Sequence, residues 1–372
     1  MKRLFSLFLI SLPLINIIGA EPQNGSGETD GYKLVWQDLF DNGELNPLRW
    51  NIEVNGNGGG NNELQYYTDS ENNVHVGDDG KGNGCLILTA RREDYKNKRF
   101  TSGRLNSMNL VTFTHGKIEA SIKLPKTANG LWPAFWMMGN DWQEVGWPKC
   151  GETDILEMGN ADGIKNGTQE RFFNGACHWG QGWPNASYAN SSTKTYSLQD
   201  DEFHLYTCIW DENFISMYVD LDKMPLQTPY YRIDISKVDP SDPWVAGNYF
   251  HKDNFIIFDL AIGGNFTGIW DPDQITALND DNGQEASMYI NYVKIYQKGN
   301  ANETLFTAVA GDIDESGVDN TLAATGEEVL TVFNLGGLRV AKVDSADELS
   351  GLLSPGVYIV KTANSTKKLI IR

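Results

Sequence analysis

From Tyr32 to Tyr296 the apolar residues come in short runs, and Gly, Asn, Asp or Pro breaks nearly every one of them. Leu34-Val35-Trp36, Cys85 to Ala90, Gly116 to Leu124, Trp132 to Met138, Phe203 to Trp210, Phe214 to Val219, Phe255 to Ile262 and Met288 to Tyr296 are examples. They alternate with a period of two or run continuously apolar, as strands do when one or both faces are buried. No long stretch keeps the period of an amphipathic helix, and no repeat has a solenoid or propeller period. A chain punctuated this often must bury its apolar faces by stacking sheets. The expected class is all-β, a sandwich or barrel.

One run departs from this pattern. Gly151-Glu152-Thr153-Asp154-Ile155-Leu156-Glu157-Met158 places three acids inside an otherwise strand-like segment. An unpaired carboxylate on an inner face is costly, and crowded carboxylates repel, so their pKa values split. Such a split suits chemistry in which one acid stays protonated while its neighbour stays ionised. On a helix, Glu152 and Glu157 would lie about 140° apart, and Asp154 about 200° from Glu152. On a regular strand, Glu152 and Asp154 share a face while Glu157 points away. One extra residue at Ile155-Leu156, a β-bulge, returns Glu157 to the face of the other two. A solvated acidic turn and a calcium-type oxygen cluster are the alternatives. Ile155, Leu156 and Met158 make a poor solvent-facing loop.

The chain has 372 residues, with 49 acidic and 30 basic ones and a net charge of −19, which disfavours nucleic acid and anionic membranes as partners. Residues 1–20 read as a signal segment: Lys2 and Arg3, an apolar core from Leu4 to Ile18, then Gly19-Ala20. The core is short for a membrane span, so export to the periplasm, cell surface or exterior is expected. Residues 21–31 form a polar linker, 32–298 the main domain, 299–328 a second linker and 329–372 a small β-module. Cys85, Cys150, Cys177 and Cys208 allow three disulfide pairings or four buried thiols. No Cys-x-x-Cys spacing is present, which disfavours zinc. The tract from Asn55 to Asn62 is a glycine-rich loop without the Lys-Ser/Thr of a phosphate cradle, either mobile beside a cleft or a plain surface loop.

The motif Glu152-Thr153-Asp154-Ile155-Leu156-Glu157 resembles the E-x-D-x-x-E signature of glycoside hydrolase family 16, the laminarinase and lichenase group. Further segments follow in family order. They are Asn61 to Tyr67, Ser102-Gly103-Arg104, Gly116 to Ala120, Trp132-Pro133-Ala134-Phe135-Trp136, Ala261 to Asn265 and Tyr292 to Tyr296, so the likeness covers roughly residues 32–297. The resemblance implies a β-jelly-roll sandwich, concanavalin-like, with a concave sheet that holds a glycan. It implies hydrolysis with retention, Glu152 as nucleophile, Glu157 as acid/base and Asp154 as their helper. Thr153 stands where the family often has Ile or Leu. Asn291 stands where some members have a calcium-binding Asp, which leaves any structural calcium weak or absent. No cofactor and no catalytic metal is expected.

Trp132 and Trp136 share parity, hence a face, and the resemblance turns that face toward the glycan; core packing is the alternative. His178, Arg104 and Asn62 are expected to contact sugar, with structural roles as alternatives. The expected substrate is β-1,3-glucan, and mixed β-1,3/1,4-glucan as well, cut by a monomeric endo-acting enzyme. Agarose, carrageenan or xyloglucan hydrolysis on the same fold, and a lectin-like glycan-binding module, are the rivals. The tail features Val332 to Gly337, Leu353 to Val360 and Lys367 to Arg372 resemble the sorting domain of the type IX secretion system, which would make that machinery a partner.

Overall fold

The computed structural model describes residues 31–182 and 186–309, together with strands Leu330–Asn334, Arg339–Val343, Gly356–Lys361 and Thr366–Ile371. The expected signal segment, nearly all of the first linker and most of the second lie outside the described residues. No described helix is long and apolar enough to cross a membrane.

Two sheets, of ten and nine strands, stack face to face, and the four described C-terminal strands pair into a third. The all-β expectation is met as a sandwich. Alternate side chains of the central strands point between the two large sheets and form the core. Ile118, Ala120 and Ile122 of strand Gly116–Lys123, together with Tyr206 and Cys208, meet Phe135, Met137, Phe173, Phe258 and Leu260 from the opposite sheet. All four cysteines are buried free thiols, so no disulfide braces this core. A core of this size does not need one.

The nine-stranded sheet carries the acids. Strand Glu152–Met158 lies between Leu131–Gly139 and Phe172–Trp179, and Asn254–Ile262 follows on the far side of Leu131–Gly139. Ala134 pairs with Glu157, Trp136 with Asp154 and Met138 with Glu152. Positions 134, 136 and 138 alternate along a regular strand and share one face, so their partners share it too. The register slips between Phe135, which pairs with Leu156, and Trp136, which pairs with Asp154. The slip recurs against the other neighbour, where Asp154 pairs with Ala176 and Glu157 with Asn174. This is the expected bulge at Ile155-Leu156, with both side chains fully buried. A bulge leaves backbone groups without ladder partners; here the Tyr230 hydroxyl donates to the Ile155 carbonyl. The Tyr230 ring is fixed edge-on against Phe173, at 4.8 Å between centroids.

The second linker begins later than its composition suggests. Strand Thr304–Thr307 pairs with Val111–Thr114 and extends the nine-stranded sheet. Its polar residues are structural: Glu303 accepts from the backbone N–H groups of Lys298, Gly299 and Asn300, and Asp253 accepts from the hydroxyls of Thr114 and Thr304. Asn291, expected to weaken a calcium site, donates its Nδ2 to the Gly84 carbonyl at 2.9 Å. An amide N–H thus fills a role that a carboxylate could fill only through a cation.

If Tyr230 holds the bulge open, Tyr230→Phe costs about 1–2 kcal/mol of stability, the penalty for an orphaned buried carbonyl. Urea unfolding of the two proteins checks this. Unchanged stability would show that the bulge holds without Tyr230.

Candidate active site

Glu152, Asp154 and Glu157 stand in one row along the open face of the nine-stranded sheet. Asp154 is buried, and the two glutamates are partly exposed. Trp132 and Trp136 share a face, as their parity requires, and the pairing of Trp136 with Asp154 makes it the acid face; their indoles are engaged. Trp132 donates Nε1 to Glu157 Oε1 at 3.2 Å, and one of its faces stacks on Phe266 at 4.6 Å. Trp136 donates to Asp259 Oδ1 at 2.7 Å, and the Arg104 guanidinium lies 4.9 Å from its ring centroid.

His178 pairs with Glu152 across the strands, and its Nε2 lies 3.5 Å from Asp154 Oδ2 and 3.9 Å from Glu152 Oε1. Burial pushes its pKa down, so the ring is neutral near pH 7. Arg104 Nε lies 3.0 Å from Glu53 Oε1, both side chains being mostly buried. Asn62 is at the rim, in the left-handed region at φ 58°, with Nδ2 donating to Asn265 Oδ1 at 3.0 Å. Trp270 donates to that same oxygen.

Several residues of the face were not singled out from the sequence. Asp259 pairs with Ala134, which also pairs with Glu157, so two carboxylates flank one small side chain. Tyr67 donates toward both Asp259 and Glu63, and Gln65 donates to Glu63. Asp259 had the same signal as Asp154, an acid inside a buried apolar run. Trp147, on the loop before Glu152, donates Nε1 to Glu152 Oε2 at 2.9 Å. Only the folded loop shows that contact.

Burial is the leading cause of every pKa shift among these acids. It pushes Glu157 up to about 8, with the charge of Glu152 adding and the Trp132 donor opposing. It lifts Glu152 to about 7, against the Trp147 donor and the Arg104 charge. Asp154 is held well above the usual range by burial and by the flanking Glu152 and Glu157. Asp259 is raised to about 6, opposed by Arg104. The three motif acids titrate as a set. Burial raises all three, Glu152 against the pull of the Trp147 donor and Glu157 against that of the Trp132 donor.

Oxygen and nitrogen atoms of Glu152, Asp154 and His178 lie within 4.8 Å of one another, close enough to hold a small cation. The surroundings suit protons better. Indole N–H groups point at Glu152 and Glu157, and a bound cation would repel them.

Comparison with known proteins agrees with this geometry. The family model described as "Glycosyl hydrolases family 16" matches residues 61–232. The chain is 31% identical over 282 residues to the "Beta-glucanase" of Rhodothermus marinus, covering 73% of this chain and 87% of that protein. It is 32% identical over 269 residues to the "Clotting factor G alpha subunit" of Tachypleus tridentatus, covering 72% of this chain but only 34% of that protein. The chain thus spans about a third of that relative's length. Among solved structures, the GH16 of the Bacteroides ovatus mixed linkage glucan PUL, in complex with G4G4G3G product, is 40% identical with a TM-score of 0.60. That match covers 70% of this chain and 99% of the other. Sequence, fold and relatives agree: the chain belongs to glycosyl hydrolase family 16.

Proposed function

We propose that this chain is a retaining endo-β-glucanase that cuts β-1,3-glucan, and mixed β-1,3/1,4-glucan as well. The observation that carries the reading is the single row of Glu152, Asp154 and Glu157 on the open face, with the outer two each held by an indole N–H. Glu157, protonated, gives its proton to the glycosidic oxygen as the bond to the anomeric carbon breaks. Glu152, ionised, attacks that carbon and forms an ester. Glu157, now a carboxylate, takes a proton from water. The water oxygen bonds to the anomeric carbon, the ester bond breaks, and Glu152 regains its charge. Two inversions leave the β configuration unchanged. Asp154, between them and protonated, is placed to hydrogen-bond Glu152. Ala134, between Glu157 and Asp259, presents only a methyl group between the two carboxyls.

The substrate reading draws on the relatives named for β-glucans and on three half-exposed indoles around the face. Trp147 reaches Glu152, Trp270 reaches Asn265, and Trp142 reaches Met108. Such rings stack on the apolar faces of pyranoses. We also propose that catalysis needs no metal and that the enzyme is exported, its C-terminal strands serving sorting.

Reducing-sugar release from laminarin, lichenan, agarose and xyloglucan side by side tests the substrate, with laminarin or lichenan expected to lead and chelator to change nothing. Activity on agarose or xyloglucan alone would overturn the β-glucan reading. Glu152→Gln and Glu157→Gln should each nearly abolish turnover, and azide should rescue Glu152→Ala. Because burial raises the acids of the row, the wild-type activity profile should lie above the range of ordinary carboxyls, its limbs belonging to the coupled set; a profile centred at about pH 4–5 would contradict this.

The raised pKa values add a stability signature. A carboxyl whose pKa is higher folded than unfolded binds protons more tightly in the fold, so stability falls as pH rises toward the folded value. At pH 8 both Gln variants should therefore melt a few degrees above wild type, by about 2–4 °C. Loss of activity together with a lowered melting temperature would point to damage of the fold instead.

The sorting proposal is tested by truncation. A chain ending after Val309 keeps the edge strand Thr304–Thr307. It should retain full activity on soluble glucan while accumulating in the periplasm of its host. Normal secretion of that chain would end the sorting proposal, and reduced affinity for insoluble glucan would assign the tail to glycan binding.

A further inference from the structure

Trp147 follows the short helix Trp142–Val145 and is 47% exposed, so it is not held there by burial in a core. Its one polar atom, the indole Nε1, donates to Glu152 Oε2 at 2.9 Å. On the other side of the carboxyl, His178 Nε2 lies 3.9 Å from Oε1, and the Trp147 and His178 rings are 6.3 Å apart at their centroids. Glu152 is thus held through Oε2, while Oε1, on the His178 side, takes no indole N–H among the described residues. The indole donor opposes the burial that raises the proton affinity of Glu152, and it ranks ahead of the Arg104 charge in doing so.

We propose that Trp147 is a positioning residue for the nucleophile: its N–H fixes the Glu152 carboxyl by Oε2, keeps it ionised beside protonated neighbours, and leaves Oε1 to attack. This rests on the assignment of Glu152 made above. When Oε1 bonds to the anomeric carbon, negative charge leaves Glu152 and the bond from Trp147 weakens. When water displaces the ester, the charge returns to Glu152 and the bond strengthens again. Trp147 therefore favours the free carboxylate before the first step and its release in the second. The alternative role for a half-exposed Trp on this face is a sugar-stacking platform, which needs the ring but not the N–H.

The test separates ring from donor. Trp147→Phe keeps an aromatic ring and removes the N–H. A second variant with benzothienylalanine at position 147 keeps the indole shape with sulfur in place of N–H, and covers the case in which the Phe variant fails to fold. Rates are read against pH on one glucan for wild type, both variants and Glu152→Gln. Both Trp147 variants should move the acid limb of kcat/KM upward by roughly half a unit to one unit. They should also cut kcat near pH 7 about tenfold, as loss of a hydrogen bond to a charged group does, with KM changing less than kcat. A raised KM with the acid limb and kcat unmoved would overturn the proposal in favour of a platform. Glu152→Gln should be inactive at every pH; turnover in that variant would instead overturn the nucleophile assignment.

Discussion

A strand shows alternate side chains to opposite faces, so residues an odd number of positions apart cannot meet on one side. Glu152 and Glu157 are separated by such an odd step, and the arrangement of the face depends on one bulge that cancels it. The bulge at Ile155-Leu156 places Glu157 opposite Ala134, in the same row as Glu152 opposite Met138. Its own requirements shape the neighbourhood. Ile155 and Leu156 are fully buried, and the freed Ile155 carbonyl takes the Tyr230 hydroxyl. Tyr230 precedes strand Tyr231–Asp234 of the other large sheet. The bend in the acid strand is therefore braced from across the sandwich.

Gathering four carboxyls on one face costs stability, because burial and mutual repulsion both oppose their charges. The offset comes mainly from neutral donors. Trp132 serves Glu157, Trp147 serves Glu152 and Trp136 serves Asp259. A lysine or arginine on each acid would drive all the pKa values down and leave no proton to donate. An indole N–H orients a carboxyl while letting its pKa stay high. Arg104 lies against Glu53 and stacks over Trp136. It opposes the rise of Glu152 and Asp259, whereas among the described residues the rise of Glu157 is opposed by the neutral Trp132 N–H. The two glutamates are thereby set apart.

The strand class, the acid row and the bulge were legible in the sequence because each follows from local periodicity. Parity also put Trp132 and Trp136 on one face, which the family resemblance turned toward the acids. It could not say that Phe266 and Arg104 would each cover part of an indole, since those contacts join strands distant in the chain. Nor could it place Arg104 against Glu53 and across the strands from Asp259. The end of the main domain was misplaced for a related reason. The stretch after Gln297 is polar, and polarity reads as linker when its hydrogen-bond partners are unknown. Glu303 and Asp253 turn that polarity into a capped turn and an edge strand. Trp147 had no sequence signal of its own, because a loop gives no period from which to aim a side chain.

If the bulge puts a nucleophile and a proton donor on the same face of one strand, a 2-deoxy-2-fluoro β-glucoside with a good leaving group should trap the ester, because the fluorine slows its breakdown and lets it accumulate. Mass spectrometry of the intact protein followed by peptide mapping then locates the sugar. One sugar per chain, attached to Glu152, is expected. A label on Glu157 or Asp154, or turnover with inversion and no trapped ester, would contradict it.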